Sequence, residues 1–307
     1  MRSLADALAA GPVILDGGLS TELEARGSDV SSALWSARLL RDDPAAIVAA
    51  HAAFAAAGAQ VATTASYQAT VEGFGGAGVN PAEARRLIAS SVALARDGQG
   101  DGWVAGSVGP YGAMLADGSE YTGAYVDGMT VAGLRAFHRP RMEVLAEARA
   151  DVLACETVPA AAEAEALIAE ADVLGFPIWL SLTTVIGEDG VVRTRRGERA
   201  ADVFAMTADV AAVIAVGVNC IAPGAVGPSI AAAAAAGKPA VAYPNSGEGW
   251  DAVDRRWTGS PRISADDVPV WAEAGVRLVG GCCRVGPQHI ATIASVIRSP
   301  DHPGGRG

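Results

Sequence analysis

The chain has 307 residues, half of them hydrophobic and 37 of them glycine, enough for a large buried core and too apolar for disorder to be its main state. Its net charge of -11 argues against a nucleic-acid partner, because no basic surface is available to release counterions from a polyanion. Four cysteines are too few for a secreted disulfide scaffold, residues 1–10 hold no apolar leader, and no stretch offers the ~18 uncharged apolar residues of a membrane span. A cytoplasmic chain with free thiols is expected.

Apolar, β-rich runs recur at residues 13–16, 60–64, 103–108, 152–155, 178–183, 213–218, 240–243 and 276–279, each followed by an alanine-rich helical stretch. Near-continuous apolar strands alternating with helices predict a parallel sheet covered on both faces. Eight such units in a chain of this length match a single-domain α/β fold, the (β/α)8 TIM barrel, with an open doubly wound sheet as the competing architecture. After the first strand, Asp43-Pro44 supplies an N-cap and a first-turn proline for a helix through Ile47, Val48, His51 and Phe54, stopping at Gly58. After the second, the glycines from Gly73 to Gly78 carry the spacing of a dinucleotide site. They lie too far from the strand for that role and read as a flexible loop. Asn80-Pro81, with Glu83 three residues past the cap, opens a helix carrying Leu87, Ile88, Ser91 and Leu94 to a stop at Gly98. Following the third strand, Arg139-Pro140-Arg141 predicts a kink in a long helix, with both arginines facing solvent. Three connections, 109–129, 184–198 and 245–262, are long enough to be lids over the carboxyl face. They hold Tyr111, Asp117, Glu120, Tyr121, Arg193, Arg195, Glu248, Trp250 and Trp257. No linker divides the chain, so residues 1–298 are expected to form one barrel and 299–307 a disordered tail.

In that phase Asp16, Thr64, Glu156, Cys220, Cys282 and Cys283 fall at or just past strand ends and converge on one mouth. Cys220 lies 62 positions before Cys282, so only barrel topology brings the three thiols together. Three thiolates with a fourth position open suit a catalytic zinc. Buried core thiols are the plainer alternative. A redox pair is disfavoured because a disulfide between adjacent residues is strained. Cys155 precedes Glu156, points to the opposite face of its strand, and is expected in the core. Asp16, beside Gly17-Gly18, suits a ligand ammonium group, or else a helix cap. Glu156 at the end of a buried strand demands a cation, either a ligand or an arginine. The histidines form neither a metal pair nor a serine-hydrolase set. Zinc held by three thiolates is a weak Lewis acid but binds and deprotonates a fourth thiol, which makes alkyl transfer its natural chemistry. A sulfonium donor would need an aromatic or carboxylate lining such as Tyr111, Tyr121 or Glu120.

Several runs carry a family resemblance. They are Leu15-Asp16-Gly17-Gly18 with Thr21-Glu22-Leu23-Glu24, Ala65-Ser66-Tyr67-Gln68-Ala69-Thr70, Ala105-Gly106-Ser107-Val108-Gly109-Pro110-Tyr111-Gly112, Ala154-Cys155-Glu156-Thr157, Gly217-Val218-Asn219-Cys220, Tyr243-Pro244-Asn245-Ser246-Gly247-Glu248 and Gly280-Gly281-Cys282-Cys283-Arg284. Together they resemble the homocysteine S-methyltransferases over nearly the whole chain. The segment Leu115-Ala116-Asp117-Gly118-Ser119-Glu120-Tyr121 is similar to the bacterial branch that uses S-methylmethionine. The resemblance implies Zn2+ on Cys220, Cys282 and Cys283, with homocysteine and a sulfonium donor, S-methylmethionine or S-adenosylmethionine, as small-molecule substrates. It implies Asp16, Gly17 and Glu156 around the amino acid end of homocysteine; by position Thr64 and Ser66 are expected as carboxylate contacts, and Asn219 as a further substrate contact. Gly18 replaces an alanine of many relatives, and little consequence is expected. Thr157 stands where the betaine-using branch has tyrosine, which counts against betaine. A thiol-based metal or redox sensor is the competing non-enzyme reading, and a folate- or corrinoid-linked methyltransferase the competing enzyme. Oligomeric state is not legible.

Overall fold

The computed structural model describes residues 2–30, 34, 36–251, 256–261 and 263–299, with only the backbone of 249–251, 256 and 257. Residues 300–307 of the tail expected at 299–307, Arg262, and the side chains of Trp250 and Trp257 lie outside the described residues.

Eight parallel strands form the sheet: β1 (Val13–Ile14), β2 (Val61–Thr63), β3 (Trp103–Val108), β4 (Val152–Val158), β5 (Ile178–Leu182), β6 (Val213–Asn219), β7 (Ala240–Tyr243) and β8 (Val276–Val279). From β2 to β8 each strand pairs with the next in sequence, and β8 pairs with β1. The ring closes where Leu15 bridges Val61 and the Asp16 amide donates to the Val61 carbonyl at 3.1 Å. The chain is therefore a closed (β/α)8 barrel, not an open sheet.

Side-chain alternation divides the core into two layers. Val13, Leu15, Val61, Ala105, Ala154, Trp179, Val241 and Leu278 fill the barrel together with Leu4 and Leu8 of the N-terminal helix Leu4–Ala10. Ile14, Ala62, Val104, Leu153, Cys155, Leu180, Val216 and Val279 belong to the outer layer that includes the surrounding helices, so Cys155 is a core thiol as expected.

The caps at Asp43 and Asn80 form as predicted, accepting from the Ala46 and Glu83 amides at 3.1 and 3.0 Å. The second of these helices, Pro81–Gln99, runs past Gly98. A Cβ at Gly98 would meet that of His51 at 2.5 Å, so this glycine permits close helix packing, and the helix ends instead at left-handed Gly100. The stretch Gly73 to Gly78, expected as a flexible loop, is helical as far as Gly76, within the short helix Val71–Gly76 capped by Thr70. Helix Val131–Glu147 continues through Pro140. Two of the long insertions contain antiparallel hairpins, Thr184–Ile186 with Val192–Thr194 and Gly249–Asp251 with Arg256–Thr258. Among the described residues no helix is long and apolar enough to cross a membrane.

Candidate active site

Strand β6 ends at Asn219 and delivers Cys220 in the left-handed region, φ 50°. Strand β8 ends at Val279, and Gly280-Gly281 lead into Cys282-Cys283. The segment after β7 laces the two together. The Cys220 amide donates to the Tyr243 carbonyl (3.3 Å), the Cys282 amide to Pro244 (2.8 Å), and the Ser246 amide to the Cys283 carbonyl (3.0 Å). As a result the three sulfurs lie within 4.8 Å of one another, Cys220 to Cys283 at 3.8 Å and Cys282 to Cys283 at 4.0 Å. A tetrahedral ion with metal–sulfur bonds of ~2.3 Å needs sulfurs ~3.8 Å apart, so the cluster could hold such a metal with little movement. All four cysteines are free thiols. Hydrogen bonds from Cys220 and Cys282 hold the Cys283 thiol well below the usual range. The Tyr121 hydroxyl reaches Cys220 Sγ at 3.9 Å.

Across the same cavity stand two buried carboxyl groups, Asp16 and Glu156. Asp16 accepts from the Thr63 amide at 2.7 Å and the Thr63 hydroxyl at 2.9 Å. It caps no helix; the helix Leu19–Ala25 starts at Gly18 without a side-chain cap. Burial pushes the Asp16 carboxyl up to about 8, against the pull of the Thr63 bonds. Glu156 accepts from the Ser107 hydroxyl, and burial pushes its carboxyl up to about 7. The arginine salt bridge considered for it is not made, and among the described residues neither carboxyl has a basic partner within 4 Å. Two buried acids without cations, facing a thiol cluster, form a receptor for a cationic group on a sulfur compound.

The remaining expected contacts divide. Thr64 borders the cavity, with its hydroxyl accepting from the Ser107 amide at 2.9 Å. Ser66 does not border it: fully buried, its hydroxyl bonds Thr64 at 2.6 Å and donates to the Ser107 carbonyl at 2.8 Å, which ties the end of β2 to β3. Asn219 lines the cavity, but its amide is engaged twice with Thr157, accepting from the backbone and donating to the hydroxyl, both at 2.7 Å. Gly17 and Gly18 are dictated by the loop after β8. A Cβ on Gly17 would strike the Val285 carbonyl and Phe54 Cε1 (2.7 Å), and one on Gly18 would meet the Cys282 carbonyl at 2.5 Å. An alanine at 18 would thus displace the Cys282 loop, contrary to the expectation of little consequence.

Sequence reasoning missed Thr63, Tyr67, Ser107 and Tyr243, all lining the cavity. Thr63 and Tyr243 are the last residues of their strands, a positional signal available from phase alone. Nor was the anchor of the 109–129 lid foreseen. Glu163 accepts from the Tyr111 amide (2.7 Å), from His138 Nε2 (2.9 Å) and from the Tyr125 hydroxyl. Arg141 donates to His138 Nδ1 at 2.9 Å, which assigns a neutral ring with its proton on Nε2; burial likewise lowers the His138 pKa. Arg141 also donates to the Gly109 and Tyr67 carbonyls at 2.6 and 3.1 Å. It is 1% exposed, not solvent-facing as expected. Its neighbour Arg139 is half-exposed and pairs with Glu170 at 2.7 Å. Tyr111 packs at a tilt against Tyr125 and edge-on against Phe137 and does not line the cavity, whereas Tyr121 does.

The homocysteine S-methyltransferase family profile matches residues 13–297. Homocysteine S-methyltransferase of Escherichia coli (strain K12) is 44% identical over 306 residues, spanning 92% of this chain and 94% of that protein. Homocysteine S-methyltransferase YbgG of Bacillus subtilis (strain 168) is 40% identical over 304 residues, spanning 94% and 95%. The crystal structure of the metallated form of the homocysteine methyltransferase MmuM from Escherichia coli superimposes with a TM-score of 0.83 at 41% identity, covering 94% of this chain and 96% of that one. With a closed barrel, a metal-competent thiol triad and relatives matched almost end to end, the chain belongs to the homocysteine S-methyltransferase family.

Proposed function

We propose that this enzyme moves a methyl group from a sulfonium donor, S-methylmethionine in the first instance, to the sulfur of homocysteine, giving methionine from both. The observation that carries the reading is the facing pair of features in one cavity, three sulfurs at tetrahedral spacing and two cation-seeking carboxyl groups. Cys220, Cys282 and Cys283 would hold zinc, a donor set of soft sulfurs that suits it. Zinc bound there supplies the acidity that keeps a fourth thiol deprotonated near neutral pH.

Asp16 and Glu156 bind the homocysteine ammonium group, whose arrival favours the ionised form of both carboxyls that burial otherwise disfavours. Thr64 stands beside them at the amino acid end. Asn219 fixes the ends of β4 and β6 through Thr157 and so aims Cys220. In the transfer, the homocysteine sulfur forms the new S–C bond along the line of the breaking donor S–CH3 bond. The donor's sulfonium takes back the electron pair and leaves as a neutral thioether. We place the reaction in the cytoplasm, where a reducing medium keeps the triad as thiols.

The test is a donor panel with zinc-loaded protein and homocysteine, measuring methionine from S-methylmethionine, S-adenosylmethionine, betaine and methyl-folate. S-methylmethionine should lead. Metal analysis should give about one zinc per chain, lost together with turnover in Cys282→Ala. Full activity after exhaustive chelation would refute the proposal.

A further inference from the structure

Besides Asp16 and Glu156, two charged side chains within electrostatic reach of the thiol triad lack an oppositely charged partner among the described residues. The first is Glu120, in the 109–129 lid next to Tyr121. It is 3% exposed, and its Oε2 has no hydrogen-bond partner among the described residues. Two other buried glutamates are saturated, Glu163 by three donors and Glu170 by Arg135 and Arg139. The Glu120 backbone is pinned, because the turn that carries it packs onto Gly112, where a Cβ would meet the Ser119 carbonyl carbon at 2.6 Å. Burial holds its carboxyl above the usual range, and the negative charges of Asp117 and Cys283 add to that.

The second is Arg195, after the 184–194 hairpin. Its Nε and Nη2 both donate to one neutral acceptor, Thr183 Oγ1, at 3.3 and 3.1 Å. Its neighbours are paired, Arg193 with Asp189 at 2.8 Å and Arg196 with Asp127 at 2.5 Å, but among the described residues Arg195 has no carboxylate within 4 Å. It lies close enough to Tyr121 and Cys220 to interact electrostatically with both.

We propose that Glu120 and Arg195 form the methyl-donor subsite, Glu120 receiving the sulfonium cation and Arg195 the carboxylate of an amino-acid sulfonium. The inference rests on the function proposed above. Its physical basis is that a buried charge such as Glu120, and to a smaller degree a part-buried one such as Arg195, is costly unless a ligand supplies the opposite charge. An amino-acid sulfonium offers both signs, a few bonds apart. A donor lacking a carboxylate would leave Arg195 unmatched, so the arrangement selects for S-methylmethionine over simple sulfoniums.

The experiment uses the zinc-loaded full chain with saturating homocysteine, and S-methylmethionine or trimethylsulfonium as donor. Wild-type turnover is measured first; its absence with both sulfoniums sinks the proposed function, whatever the variants do. Glu120→Gln should raise KM for both donors about tenfold or more, the scale of a lost charge-assisted contact. Arg195→Gln should raise KM for S-methylmethionine alone, and Arg195→Lys should recover part of it. Calorimetric binding of S-methylmethionine should weaken in parallel, with zinc content and homocysteine KM within about twofold of wild type. Glu120→Gln should also raise the thermal midpoint of the ligand-free protein, since it removes an unmatched buried charge. Donor KM unchanged in both variants, a loss confined to homocysteine, or a fall in the Glu120→Gln midpoint would each overturn the assignment.

Discussion

Asp16 and Glu156 hold protons that water would remove, and this fixes a direction of pH dependence. The folded Asp16 carboxyl titrates at about 8 against 3.8 in the unfolded chain, and Glu156 at about 7 against 4.5. Between those limits the folded state binds more protons, so the stabilising contribution is complete below about pH 4 and is lost as pH rises through 7 to 8. Ligand-free wild type should therefore lose thermal midpoint steadily from pH 5 to 8.5. Asp16→Asn, whose amide can keep both Thr63 bonds, should flatten that slope, raise the midpoint at pH 8, and abolish homocysteine binding by calorimetry. An unaltered slope would mean that Asp16 is already ionised in the fold. At this scale the sequence was most readable where chemistry and strand phase agree: Cys220, Cys282, Cys283, Asp16 and Glu156 all lie at the cavity. It was least readable for Ser66, which lies only two residues past Thr64 yet is turned into a hydrogen-bonded interior. A two-residue step past a strand end crosses from mouth to core, and no composition signal marks it.

The elements that shape the mouth are held by contacts between distant loops. Glu163, on the helix Ala161–Leu174, fastens both ends of the lid through the Tyr111 amide and the Tyr125 hydroxyl. Glu163→Ala would leave the Tyr111 amide and the buried His138 Nε2 without their acceptor. It should lower stability by about 3 kcal/mol in urea unfolding, with faster proteolysis within 109–129. Gly17→Ala should disturb the docking of the post-β1 loop on the post-β8 loop, costing about 1–3 kcal/mol and reducing zinc per chain by metal analysis. All eight strands were visible as apolar runs, because a strand covered on both faces has no polar register to hide it. The hairpin at 184–194 was not, since its Val185 and Ile186 are partly exposed and its pairing is set by a short turn, not by a buried face. Arg141 misled for a different reason. A guanidinium next to a proline reads as surface, and only the folded loops supply the carbonyls of Gly109 and Tyr67 that bury it.

At the level of the whole molecule, the hydrophobic layers lie within and around the barrel, while the thiol triad is held at its rim by strand ends and loops. Zinc removal should therefore lower the thermal midpoint without unfolding the protein. The stabilisation is about 4 kcal/mol when free zinc stands a thousandfold above its dissociation constant. Calorimetry should record the shift, and far-UV circular dichroism at 25 °C should be unchanged after chelation; loss of that signal would show that the barrel depends on the ion. Barrel closure was readable from strand count, and the convergence of the mouth followed from it. Left-handed Thr157, Cys220 and Arg284 all lie at this end of the barrel, and such non-glycine conformations each carry of order 1–3 kcal/mol of strain. Glycine would relax Cys220 but delete its sulfur. Selection for heat tolerance in a laboratory lineage should accordingly accumulate its gains at the opposite pole, around Leu4, Leu8 and Trp103, leaving the reactive rim as the permanently weakest part of the shell.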